Sequence, residues 1–286
     1  MNLKLTGICL ALCLLVAAAP SQAQLIGAAK DAPVAYGHHH LNVTSIPAAQ
    51  KFFVDTLGGT AITVGGRQIV KFPNVFVFLR EQKPTAGTKG SSVDHIGFGV
   101  PDLRVMVDKI KAAGYRMVTK EEAPSPPWVA ADDIATQPGR DARIAFAMGP
   151  DDLKVEIVEV KTQTMPIALH HLHFAAPDNT AMRDWYVKVF GAKPGNPGGT
   201  FESATLPGVS LNVNKAPAGV AGTQGRTVDH IGFEITGLPA FLKNLEAMGI
   251  KATNVRDVPD LGLSIGFITD PWGTYIELTE GLKKIQ

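Results

Sequence analysis

Val93-Asp94-His95-Ile96-Gly97-Phe98 recurs letter for letter as Val228-Asp229-His230-Ile231-Gly232-Phe233, 135 residues further along. The register holds beyond the hexapeptide, with Leu103 answering Leu238 and Gly114 answering Gly249. Upstream, His38-His39-His40-Leu41 corresponds to His171-Leu172-His173-Phe174, and Phe52-Phe53 with Gly58 corresponds to Trp185-Tyr186 with Gly191. Self-similarity of this kind marks a duplicated structural unit. The units run from 36 to 160 and from 168 to 282, and Pro166 lies in the joint between them.

A weaker repeat divides each unit again. His38, His95 and His171 each begin a short β-like run that leads into a helix-like segment. Ser45, Asp102 and Asp178 each stand seven residues after their histidine, where a helix N-cap is wanted. Leu103, Val107 and Ile110 share one helical face, and Gly114 stops that helix. Lys154 to Val158 and Thr274 to Leu278 read as closing strands. Four strand-helix-strand modules result, and the fold class is α+β. The span from His95 to Glu156 exceeds that from His230 to Glu277 by 14 residues. The excess falls in the Pro-rich stretch 122–143, which reads as an added loop, a lid over a cavity, with Trp128 placed to cover an aromatic ligand.

Composition narrows the function. The 286 residues are 45% hydrophobic and 19% charged, enough to bury a core, and the formal charge of +1 argues against a nucleic-acid partner. Lys4, the apolar run from Ile8 to Ala19 and Ser21-Gln22-Ala23 read as a signal peptide over 1–23. The chain is therefore expected to be exported, periplasmic or extracellular, with no membrane contact once the leader is removed. Both cysteines, Cys9 and Cys13, lie in that leader. A mature chain without cysteine has no disulfide and no thiolate ligand, so any metal must be held by imidazole and carboxylate.

All eight histidines (38, 39, 40, 95, 170, 171, 173 and 230) fall at the starts of the four modules. Residues two apart on a strand share a face, so His38 faces with His40 and His171 with His173, while His39 and His170 face away. A lone strand histidine is more often a core residue than a ligand; the fourfold placement favours ligation. Glu156 and Glu277 each follow a turn proline by six residues on the closing strand, and their matched positions in two repeats make them the carboxylate partners.

With these residues in view, the chain resembles the vicinal oxygen chelate superfamily, which includes glyoxalase I, bleomycin-resistance proteins, fosfomycin-resistance enzymes and extradiol dioxygenases. The likeness rests on the His strands, the helices bearing Phe52-Phe53 and Trp185-Tyr186, the His95 and His230 segments, and the turn Asp270-Pro271-Trp272-Gly273 before Glu277. It implies tandem βαβββ modules paired into cup-shaped, curled mixed sheets, two such domains in all. It implies one metal site of His38, His95 and Glu156, and another of His171, His230 and Glu277. Two histidines and one carboxylate suit a divalent ion, Fe, Mn, Zn or Ni, with open positions for a small-molecule substrate that chelates through neighbouring oxygens. The fourth protein ligand of glyoxalase-type members would fall on Val75–Phe78 or Val209–Asn212, where phenylalanine cannot ligate and Asn212 is a weak donor. The three-ligand chemistries, extradiol-dioxygenase-like among them, therefore fit better than the glyoxalase I reaction. The alternative is a non-catalytic binding protein of the bleomycin-resistance type. Tyr275 is a candidate to donate a proton or orient substrate, and His40 and His173 are candidates for acid–base work or for ligation. The two units stand as a monomer or as half of a homodimer.

Overall fold

The structure is a computed structural model that describes residues 32–124, 127–199, 201–216 and 219–285. The leader 1–23 lies outside the described residues. The first module is β1 (Val34–Val43), α1 (Ile46–Gln50) continued by a π-helical turn Lys51–Thr56, β2 (Thr60–Val64), β3 (Arg67–Phe72) and β4 (Val75–Glu81). The second is β5 (Val93–Val100), α2 (Leu103–Ala112), β6 (Arg116–Met117), α3 (Thr119–Glu122), β7 (Val129–Ala131), β8 (Ile134–Thr136), β9 (Arg143–Met148) and β10 (Lys154–Glu159). The third is β11 (Ala168–Ala176), α4 (Asn179–Phe190), β12 (Lys193–Gly195), β13 (Glu202–Leu206) and β14 (Val209–Lys215). The fourth is β15 (Val228–Ile235), α5 (Leu238–Ala247), β16 (Thr253–Val258), β17 (Leu263–Thr269) and β18 (Tyr275–Glu280). The fold is α+β, mostly strand, in two large mixed sheets.

The caps are those the sequence marks. Ser45 Oγ accepts from the Ala48 amide, Asp102 Oδ1 from Val105 and Asp178 Oδ1 from Ala181. The fourth module has Gly237 at this place, in a left-handed conformation with φ 77°. There Glu280, reaching over from β18, accepts from the amides of Gly237 and Leu238 instead. The extra residues of the second module are not a bare loop: they form α3 and the β7–β8 hairpin, which extends the sheet past β9.

Sheet pairing departs from the sequence expectation. One sheet runs β16-β17-β18-β15-β1-β4-β3-β2 and the other β12-β13-β14-β11-β5-β10-β9-β8-β7, with β6 beside β9. The repeat units 36–160 and 168–282 therefore do not each close a cup: the first module joins the fourth, and the second joins the third. The identical hexapeptides make β5 and β15 equivalent partners, so composition cannot choose between them. The connectors supply the physical reason. The short joint 160–167 holds β10 and β11 to opposite sides of the same β5, pinned by Val160 N to Val100 O and by Gln163 Nε2 to Gly99 O. The longer stretches 82–92 and 219–227 pass between sheets side by side, bonded through Thr85 N to Gly225 O, Ala221 N to Gly90 O and Thr227 N to Ala86 O.

One apolar core lies between the backs of the two sheets and takes in the helices. Phe72 on β3 meets Phe98 on β5 at 4.9 Å, joining one sheet to the other, and Phe190 on α4 stacks on Phe233 of β15 at 4.4 Å, joining that helix to the first sheet. Tyr186 Oη donates to Asp270 Oδ2 at 3.0 Å, tying α4 to the turn before β18. Strand residues alternate faces, so the opposite face of each sheet is left concave and open. Both candidate sites lie there.

Candidate metal centres

On the first sheet, register aligns Glu277, Gly232 and His38 in one row across β18, β15 and β1, with His230 and His40 paired in the adjacent row. Adjacent strands stand about 4.8 Å apart, so Glu277 and His38 belong to strands too distant for a short contact unless the residue between them is small. Gly232 is that residue: a Cβ there would fall within the His38 ring. His230 Nε2 lies 3.0 Å from Glu277 Oε2, and His38 Nε2 lies 3.6 Å from the same oxygen. Asp229 Oδ1 accepts from His230 Nδ1 at 2.7 Å and is itself held by Asn42, Arg80 and the Gly225 amide through its other oxygen.

The second sheet repeats the plan. Glu156, Gly97 and His171 form the row across β10, β5 and β11, and His95 pairs with His173. A Cβ on Gly97 would enter the His171 ring. Glu156 Oε2 is 2.8 Å from His95 Nε2 and 3.1 Å from His171 Nε2. Asp94 Oδ1 accepts from His95 Nδ1 at 2.7 Å, and the buried Lys154 ammonium bridges Asp94 to Glu122 at 2.5 and 2.7 Å.

Electrostatics in the two centres run alike. Burial alone would raise the carboxyls of Glu156 and Glu277, but the paired imidazoles hold both well below the usual range. Burial likewise opposes charge on His95 and His230, yet hydrogen bonds to Asp94 and Glu156, or to Asp229 and Glu277, outweigh it and raise both. Asp229 is brought down to about 2 against its burial, by His230 first and then the Gly225 amide. Positive charge is thus favoured at the place a cation would take, and a metal bound there would compete with protons for these nitrogens.

The donor sets fit a divalent ion. Ligand atoms of His38, His230 and Glu277 lie within 4.8 Å of one another, and so do those of His95, Glu156, His171 and His173. Cis ligands at about 2.1 Å from one ion stand about 3 Å apart, close to the 2.8–3.1 Å separations in the second centre and the 3.0 Å in the first, where His38 stands wider, 3.6 Å from Glu277. Second-layer carboxylates on the outer histidine nitrogens are the usual way such rings are oriented.

All six expected ligands are drawn into clusters, but regrouped. His38 meets His230 and Glu277 rather than His95 and Glu156, and His171 meets His95 and Glu156 rather than His230 and Glu277. The exchange follows from the module pairing described above. His173 joins its cluster. His40 lies beside its own, 4.5 Å from His230 ring to ring and stacked on Phe78. Tyr275 lies flat on Phe267 at 4.8 Å and edge-on to His230 at 5.8 Å, beside the cavity rather than lining it. His39 faces the core, bonded to Tyr36 Oη, whereas His170 meets His171 Nδ1 at 2.9 Å. Asp94 and Asp229 escaped the sequence reading, although each precedes its histidine in both hexapeptides. Lys154 and Glu122 carried no local signal at all.

The cavities differ. The first-sheet cavity holds about 150 Å³ and is walled by Leu261, Leu263, Ile265 and Phe267 with Arg67 and Arg256 also on its lining. The second-sheet cavity holds about 580 Å³, and the inserted segment supplies Trp128, Gln137 and Arg140 to its wall.

Residues 168–278 match the family model of the Glyoxalase/Bleomycin resistance protein/Dioxygenase superfamily. Among solved structures, glyoxalase I from Zea mays is 16% identical, with 88% of this chain and 94% of that chain covered at a TM-score of 0.65. A "putative dioxygenase" from Bacillus subtilis subsp. subtilis str. 168 is 14% identical, with 86% and 84% covered at a TM-score of 0.65. Comparison with curated protein sequences finds no match. At such identities the structural likeness establishes the fold, and it extends over both halves of the chain.

Proposed function

From the premise that this chain carries a domain of the glyoxalase/bleomycin resistance/dioxygenase superfamily, we propose that it is an exported, metal-dependent enzyme acting on a small substrate that chelates through neighbouring oxygens. The observation that carries this reading is the meeting of imidazoles and a carboxylate, from strands remote in sequence, on each of two concave faces. When bound, a divalent ion in such a set supplies Lewis-acid polarisation and keeps positions open for substrate.

The chain's own residues do the rest. Asp229 and Asp94 fix the tautomer and orientation of His230 and His95. Gly232 and Gly97 leave the space into which the His38 and His171 rings turn. Burial, and then the charge of His230 and His38, keep His40 well below the ordinary imidazole range. Neutral at pH 7 and on the cavity wall, His40 is suited to take a proton from a substrate hydroxyl. The side chains of Leu261, Leu263, Ile265 and Phe267 give that exchange an apolar border. Phe78 stands against His38 and His40, where a glyoxalase-type fourth ligand would have to approach. Extradiol-dioxygenase-like ring cleavage, or another three-ligand chemistry, is therefore favoured over the glyoxalase I reaction.

Elemental analysis of purified protein for Fe, Mn, Zn and Ni, followed by oxygen uptake with catechol-like compounds, tests the proposal. Up to two ions per chain are expected, and His230→Ala should lose both an ion and turnover. Protein that binds no divalent metal would end this reading. Tight small-molecule binding untouched by a chelator would instead favour a sequestering protein. Export rests on Lys4, the apolar run to Ala19 and the Ser21-Gln22-Ala23 site, and N-terminal sequencing of secreted material should begin at Gln24.

A further inference from the structure

Two residues past the row histidine of each first strand stands another imidazole, His40 on β1 and His173 on β11. Register pairs them alike, His40 with His230 and His173 with His95. Their surroundings differ. His40 is half-buried and lies parallel to the Phe78 ring at 5.9 Å. His173 is only 9% exposed, and neither of its ring nitrogens has a hydrogen-bond partner. Phe78 on β4 occupies the register position that Asn212 holds on β14, so no ring lies flat over His173; Phe201 meets it edge-on at 5.4 Å.

A buried imidazole with both nitrogens idle has given up its bonds to water without replacement. One His173 nitrogen nevertheless lies within 4.8 Å of the ligand atoms of His95, Glu156 and His171, whereas the first-sheet cluster stops at three members. An ion would give that nitrogen its missing partner. We infer that the second-sheet centre holds a divalent ion through four protein donors, His95, Glu156, His171 and His173, and the first-sheet centre through three. The two centres are then unequal: the second binds its ion more tightly and leaves fewer positions for substrate. This inference rests on the reading of both clusters as metal centres.

Titration of metal-free protein with Co(II) alone, against a competing chelator and followed by visible absorption and calorimetry, tests it. Two binding steps are expected, separated by at least about tenfold in affinity. His173→Ala should weaken the tight step by at least about 10- to 100-fold, the range for losing even an outer partner of a metal ligand, and alter its absorption bands. His40→Ala should leave the tight step where it was. Should His173→Ala fail to fold, wild-type protein at one equivalent of Co(II) still decides. Its proton NMR spectrum should carry one exchangeable, strongly shifted imidazole N–H signal per ligating histidine, three in all. Two such signals, two equal steps, or an unchanged tight step in His173→Ala would overturn the four-donor centre while leaving two metal sites standing. No Co(II) binding at all would overturn both this inference and the proposed function.

Discussion

A methyl group on Gly232 would fall inside the His38 ring, and one on Gly97 inside the His171 ring. At these two positions glycine leaves the space that any other strand residue would fill. Gly232→Ala should therefore keep the fold but swing His38 off Glu277, lowering metal content by one ion per chain as read by elemental analysis; full metal content would show that the ring can turn elsewhere. His39 gives a second residue-scale expectation. Burial first, and His38 next, bring its pKa down to about 3 from an ordinary 6.5. Between those values the unfolded chain binds a proton that the folded chain refuses, so this contribution to stability is whole above pH 6.5. It declines as pH falls toward 3, by about 1.4 kcal/mol per pH unit. In urea denaturation of metal-free protein between pH 7 and 4, His39→Gln should flatten the pH dependence of stability by about one proton relative to wild type; parallel slopes would absolve His39. The six candidate ligands were legible because histidine clusters at strand starts and glutamate recurs at matched positions. The outer shell was not, since Lys154 bridges Asp94 to Glu122 only after β10, α3 and β5 have assembled.

At the scale of elements, spacing located the helices because caps are local: Ser45, Asp102 and Asp178 each bond an amide three residues on. Helix α5 of the fourth module lacks such a residue, and its cap comes from β18. Removing that carboxylate by Glu280→Ala strands the amides of Gly237 and Leu238. The expected cost is about 1–3 kcal/mol, measurable as a lower urea midpoint. A loss no larger than that of an exposed-residue control would mean water satisfies them instead. The β7–β8 hairpin could not be read in advance, because Pro124, Pro126 and Pro127 announce a loop while its strands are three residues each and find order only by adding to β9.

The architecture of the whole molecule was half legible. Duplication and module type were written in the sequence, whereas the partner of each module was not, because identical hexapeptides offer identical edges. The joint 160–167 holds β10 and β11 on either side of β5, and that pairing has a measurable result. If a protease site is placed in 160–167, where Lys161 and Thr162 are exposed, the cut halves should still co-elute as one particle, since each sheet draws strands from both. Separation into two folded pieces would contradict the pairing. The same pairing sets an order of assembly. Strand β1, with His38 opposite Gly232, lies mid-sheet between β4 and β15, so during translation residues 34–81 must wait until 228–280 have been made. The middle modules, joined by the short connector, can close while the chain is still being synthesised; the opening strand is seated last, and a newly made chain stays unfinished, and so threadable, until its final strands arrive.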